Sequence, residues 1–187
     1  MSSSRNTVVR AMHDLGAAAW FGGSLAGAIG INGAASDLDD PAERAKVAAN
    51  GWARWSPAQA AAIGAHAIGG LGLMLANRNR VKDQAGVTSN TLVKTAITGL
   101  AMATTAYSGI LGGKIATAED ATSEGATNPS AQTPTDVAAA QRQLNLLQWV
   151  NPALTGLIVI LGAQQGEQQR PKEQKAGKMK KVLQRTN

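Results

Sequence analysis

The chain contains no cysteine, one phenylalanine and one tyrosine, and aromatic residues make up only 3% of its 187 positions. Without cysteine there is no disulfide and no thiolate metal site, and the redox compartment leaves no mark on the sequence. With so few aromatic rings, a soluble core of this length lacks the large side chains that normally fill it. What stands in their place is small: 21 glycines and a still larger number of alanines, punctuated by four tryptophans.

Charge is also missing where a soluble helix needs it. No Asp, Glu, Lys or Arg occurs between Asp14 and Asp37, Arg54 and Arg78, Lys94 and Lys114, or Arg142 and Glu167. Each gap is about 19 to 24 residues long, and a hydrocarbon core of roughly 30 Å takes about 20 helical residues at 1.5 Å each. A soluble alanine-rich bundle would carry charges along one face of every helix, and these gaps leave no such faces. Mean hydropathy is modest, −0.11, because alanine and glycine fill the gaps in place of leucine. The sequence therefore predicts an all-α integral membrane four-helix bundle, multi-pass.

Lys and Arg set its orientation. Arg5, Arg10, Arg78, Arg80, Lys82, Lys94 and the tail residues Arg170, Lys172, Lys175, Lys178, Lys180, Lys181 and Arg185 fall on one side. Arg44, Lys46, Arg54, Lys114 and Arg142 fall on the other, among the acids Asp37, Asp39, Asp40, Glu43, Glu119, Asp120, Glu124 and Asp136. The N- and C-termini are predicted cytoplasmic. The first segment also has features of a cleavable signal peptide: Arg5 and Arg10 ahead of an apolar run, and "GAAS" ending at Ser36. Asp14 at the start of that run, and the length of the run, favour a retained helix.

Helices are expected at about 7–33, 57–77, 91–113 and 136–165, making residues 1–166 one transmembrane domain and 167–187 a basic cytoplasmic tail. In the first outer loop Asp40 suits an N-cap, Pro41 the first helical position and Glu43 a capping box. "PAERAKVAANGWARW" then reads as a separate short interfacial helix, with Trp52 and Trp55 as anchors in the headgroup zone. The outer segment 114–136, rich in Ala, Thr and Ser with two prolines, reads as an extended, mobile loop. Pro152 should kink the last helix and free a carbonyl near Gln148.

Small residues recur at helical spacing. Ala19, Gly23 and Gly27 share a face, as do Gly22, Ala26 and Gly30, and Ala61, Ala65 and Gly69. In lipid such faces let backbones approach closely, either within one bundle or between copies. Polar side chains inside the gaps are few, and each is a candidate site because it is costly there. His13 and Asp14 lie at the inner end of the first helix and Lys94 at the inner end of the third. The expectation is an Asp14–Lys94 contact with His13 nearby, either a proton-accepting or cation site or a satisfied pair locking two helices. His66, near the middle of the second helix, is a functional candidate or a neutral imidazole bonded to Thr98, Thr104, Thr105, Asn151 or a backbone carbonyl. Counted from the gap edges, the two histidines differ by roughly 10–15 Å in depth, too far apart to share a haem iron or a metal.

No other chemistry is encoded. There is no phosphate loop after a strand, no HExxH, no nucleophile elbow and no acidic metal cluster, so catalytic residues, cofactor and metal are all expected to be absent. "DLDD" fits capping better than Ca²⁺. The basic tail suits anionic lipid headgroups, and without interleaved aromatics it does not suit nucleic acid.

A histidine, six residues, then Trp-x-Gly-Gly occurs here as His13, Trp20, Gly22 and Gly23. This pattern resembles the first helix of copper-resistance-D-type proteins and related uncharacterised four-helix membrane proteins, and "LNLLQWVNPALTGL" is similar in character to their last helix. The resemblance implies a four-helix bundle. It does not bring a copper role, since the chain has neither cysteine nor a Met-rich motif. The expected function is that of a non-enzymatic accessory or structural subunit in a bacterial plasma membrane, self-associating or docked on other membrane subunits. The alternative is a small transporter or channel, favoured if His66, the threonines of the third helix and Asn151 converge on one cavity.

Overall fold

Asp40 and Pro41 show how the sequence starts a helix. The Asp40 carboxylate accepts a hydrogen bond from the Ala42 amide at 2.9 Å, and Pro41 occupies the position where a missing N–H costs nothing. Glu43 does not close a capping box. It pairs instead with Lys46, one turn on, at 3.0 Å.

In the computed structural model, residues 6–76, 78, 87–118, 122–167, 170, 176 and 179 are described, and they are helical apart from short connections, with no strand among them. α1 (Thr7–Ala26) runs through a π-helical turn, Gly27–Ile31, into α2 (Asn32–Ser36), forming a single rod. α3 spans Pro41–Ala76, α4 Val87–Ala116 and α5 Thr135–Glu167. The rod α1–α2 packs between α3 and α5, and α4 packs on α5. α3 and α4 touch far less, which leaves space between them.

Two expectations are corrected here. The helix "PAERAKVAANGWARW" is not separate: it is the first part of α3, a 36-residue helix that runs straight through Pro57. Pro57 removes one backbone donor. The antiparallel α1–α2 rod lies alongside α3 on both sides of that position, and Ser56 bonds back to the Trp52 carbonyl at 2.8 Å. The outer loop, for its part, is not extended. Residues 122–133 fold onto the helices: Arg44 donates to the carbonyls of Ser123 and Glu124, Ala126 N–H to Ser36 Oγ, and Asn145 to Asn128 Oδ1. Arg80, Lys82, Glu119, Asp120 and the tail residues Lys172, Lys175, Lys178, Lys180, Lys181 and Arg185 lie outside the described residues.

The core is built of small residues around one large one. Trp20 is fully buried among Ala17, Ala62, Ala101 and Ile158. A second cluster, Ala45, Leu111, Ile115, Val137 and Ala140, lies towards the 37–40 turn. Large apolar side chains point outward instead, among them Leu15, Ile68, Leu75, Leu92, Ile110 and Ile160. α3 and α5 are each long and apolar enough to cross a membrane, and most of their apolar stretches face outward.

Candidate functional site

Two glycines bring α1 and α3 into backbone contact. A Cβ on Gly16 would sit 2.5 Å from the Ala62 carbonyl oxygen and 2.6 Å from the His66 nitrogen. One on Gly69 would sit 2.5 Å from the His13 nitrogen. Only hydrogen fits at either place. At this separation each helix's histidine reaches the other helix's backbone: His13 Nδ1 donates to the His66 carbonyl, and His66 Nδ1 to the His13 carbonyl, both at 2.9 Å. The two imidazoles stack, with ring centroids 4.0 Å apart and planes 19° from parallel. A carbonyl oxygen can only accept, so each Nδ1 carries its hydrogen, and a neutral ring then keeps its lone pair on Nε2.

The third member is Lys94 of α4. Its ammonium donates to the Nε2 lone pair of His13 at 2.8 Å and approaches Gln165 Oε1 of α5 at 3.5 Å. His13, His66 and Lys94 are all buried. On the other side of the histidines Trp20 meets His66 edge-on, centroids 6.3 Å apart, and its indole N–H donates to Thr105 Oγ1 at 3.1 Å.

Thr105 opens onto the space between α3 and α4, a cavity of about 460 Å³ at the end of the bundle that holds the 37–40 turn and the 122–133 segment. Alanine and glycine supply ten of its 23 lining residues, with polar groups from Ser24, Asn32, Trp52, Ser108, Gln148 and Asn151 among the rest. Several of these satisfy one another. Trp52 Nε1 donates to Asn32 Oδ1 at 2.8 Å, Asn32 Nδ2 to Gln148 Oε1 at 2.9 Å, and Gln148 Nε2 to Thr127 Oγ1 at 3.3 Å.

The expected site is therefore corrected in two respects. Lys94 bonds to His13; Asp14, one residue on, turns to the exposed side of α1, and no Asp14–Lys94 ion pair forms. A helical residue and its successor point about 100° apart, so only one of the two can face α4. The two histidines are level, not offset. His13 lies about 23 residues before the end of α2 and His66 about 25 after the start of α3, similar rises on either side of one turn. A second helix limited to 57–77 puts His66 near its middle, whereas α3 begins sixteen residues earlier, at Pro41. A shared iron stays unsuited for a different reason: axial imidazoles point their ligating nitrogens at each other across the metal, whereas these rings lie face to face. Among the described residues no three His, Asp or Glu side chains group as a metal site.

The packing faces are redrawn as well. Ala19 and Ala61 are exposed, and Ala65 is half-buried. Gly23 and Gly27 do not admit a helix backbone; they seat the indoles of Trp55 and Trp52, whose ring atoms lie 2.1 and 2.2 Å from where a Cβ would stand. Trp52 and Trp55 thus pack inward against α1, and their N–H groups donate to Asn32 and Gln59. Of the proposed stripes only Gly69 lies at the close α1–α3 approach, against Val9 and His13; Gly16, which meets Ala62 and His66, was not singled out by sequence spacing. Asn151 bonds Ser108 of α4 at 3.0 Å. Trp20 and Ser108 were also missed as site residues; an unbroken apolar run around the one and a lone serine in the other gave little to go on.

Comparison with protein-family models, with curated proteins and with solved structures finds no match to this chain.

Proposed function

We propose that this chain is a four-span protein of a bacterial plasma membrane, termini inside, that acts as a small transporter or channel. The observation that carries this reading is a line of polar groups through the bundle. It starts in the cavity at Asn151 and Thr105, passes Trp20, and continues through His66, His13 and Lys94 to Gln165. In lipid each of these groups is costly, and a purely structural bundle made of alanine and glycine has no need of them in a row. Trp20, fully buried between cavity and histidines, is the closure of the path. The outward apolar side chains supply the lipid-facing surface. Among the basic residues of the tail, a contact with anionic headgroups on the inner leaflet follows from charge alone.

The test is flux in proteoliposomes. Wild-type protein should speed either the light-scattering recovery after a urea gradient or the quenching of trapped pyranine in a proton gradient, relative to protein-free vesicles. Trp20→Leu should raise the rate and His66→Leu lower it. If wild type and Trp20→Leu both match protein-free vesicles in both assays, the reading fails.

A second reading, a structural or accessory subunit, has its own observation. On the α1–α2 rod the side of Gly22, Ala26 and Gly30 is exposed, and both glycines have open space beside them, a surface another helix can approach closely. Native mass spectrometry from membrane extracts separates the two: a fixed multiple of the 19.1 kDa chain, or a complex with other subunits, favours this one.

A further inference from the structure

The cavity between α3 and α4 has a composition that restricts what it takes. Its volume of about 460 Å³ falls within the range of small-molecule sites, about 300–1,000 Å³. None of the described residues lining it carries a charge. An ion would enter without a counter-charge, at a desolvation cost that an uncharged wall cannot return. Most of the polar groups in the wall are already matched, since Trp52, Asn32, Gln148 and Thr127 bond among themselves.

Asn151 keeps one buried group unmatched. It lines the cavity, is 92% buried by its 8% exposure, and its Oδ1 has no hydrogen-bond partner. The amide's orientation is fixed by its neighbour: Ser108 gives its hydroxyl hydrogen to the Thr104 carbonyl at 2.8 Å, so Ser108 Oγ can only accept from Asn151, and the group facing it is the NH₂. The oxygen is left over. A buried acceptor without a donor costs about 1–3 kcal/mol, and this one belongs to a residue of the cavity wall.

We infer that the cavity binds a neutral, largely apolar small molecule bearing one hydroxyl or N–H, whose hydrogen goes to Asn151 Oδ1. This deepens the transporter reading and takes from it only the cavity as the point of entry. Binding is read at equilibrium, so a chain that binds and passes nothing keeps this inference and loses the other.

The experiment is calorimetric titration of the full chain in nanodiscs, against empty nanodiscs, with three probes of similar size: phenol, anisole and benzoate. Phenol should bind about tenfold more tightly than anisole, which lacks the donor, and benzoate should give no heat beyond the control. Gly112→Leu places a side chain in the cavity from a position with nothing within 4 Å of its Cβ, so it should fold and lose phenol binding. Asn151→Leu should bring phenol to the level of anisole. Equal affinity for phenol and anisole in wild type, tighter binding of benzoate, or phenol binding that survives Gly112→Leu would each overturn the inference.

Discussion

At the scale of single residues, the decisive feature is that hydrogen at two positions lets two histidines exchange backbone bonds. Gly16→Ala and Gly69→Ala each force a Cβ to about 2.5 Å from main-chain atoms of the facing helix, and overpacking of this kind costs about 1–3 kcal/mol. Gly22→Ala, with open space beside it, should change stability by no more than about 0.5 kcal/mol. Thermal unfolding followed by circular dichroism in one detergent compares all three. The partner of Lys94 can be identified in the same way. His13→Phe and Lys94→Met should couple by about 0.5–3 kcal/mol in a double-mutant cycle, whereas Asp14→Asn and Lys94→Met should add to within about 0.5 kcal/mol. The sequence made all of these residues visible as candidates except Gly16, yet chose the wrong partner for Lys94. A gap in charge locates a helix along the membrane normal but says nothing about its rotation, and rotation decides between neighbours such as His13 and Asp14.

At the scale of elements, the long α3 is the piece that sequence rules divide too readily. Pro57 and the Trp52–Trp55 pair read as the end of one helix and the anchoring of the next, because a proline and two indoles at a presumed interface have that meaning on average. Here the α1–α2 rod supplies seats for both indoles at Gly27 and Gly23, and α3 continues past the proline. Local signals could not show this, since the seats lie on another helix. The arrangement predicts a specific sensitivity. Gly27→Ala drives a Cβ into Trp52 and should disturb its bond to Asn32, and with it the Asn32–Gln148 link from α2 to α5. Trp52→Phe keeps most of the ring and should cost about 1 kcal/mol, one hydrogen bond. Combined with Gly27→Ala, the smaller ring should recover part of the glycine variant's loss of melting temperature.

At the scale of the whole molecule, the helical architecture was legible from the four uncharged gaps, because excluding charge over about 20 residues is a global constraint that needs no knowledge of partners. The cavity was not legible. It exists because α3 and α4 touch little, and residues as scattered in sequence as Asn32, Trp52, Thr105 and Asn151 meet only once the α1–α3 and α4–α5 pairs are docked. The account rests on one placement: the cavity end of the bundle faces outward and the Lys94 end faces the cytoplasm. The absence of native cysteine makes this directly measurable. Single cysteines at the exposed positions Asp39 and Gln132, at the cavity end, and at Gly166, at the other, are tested with a membrane-impermeant maleimide on intact cells. The account predicts labelling of Asp39→Cys and Gln132→Cys in intact cells, and of Gly166→Cys only after the membrane is opened. Labelling of Gly166→Cys in intact cells, or protection of the other two, would contradict it.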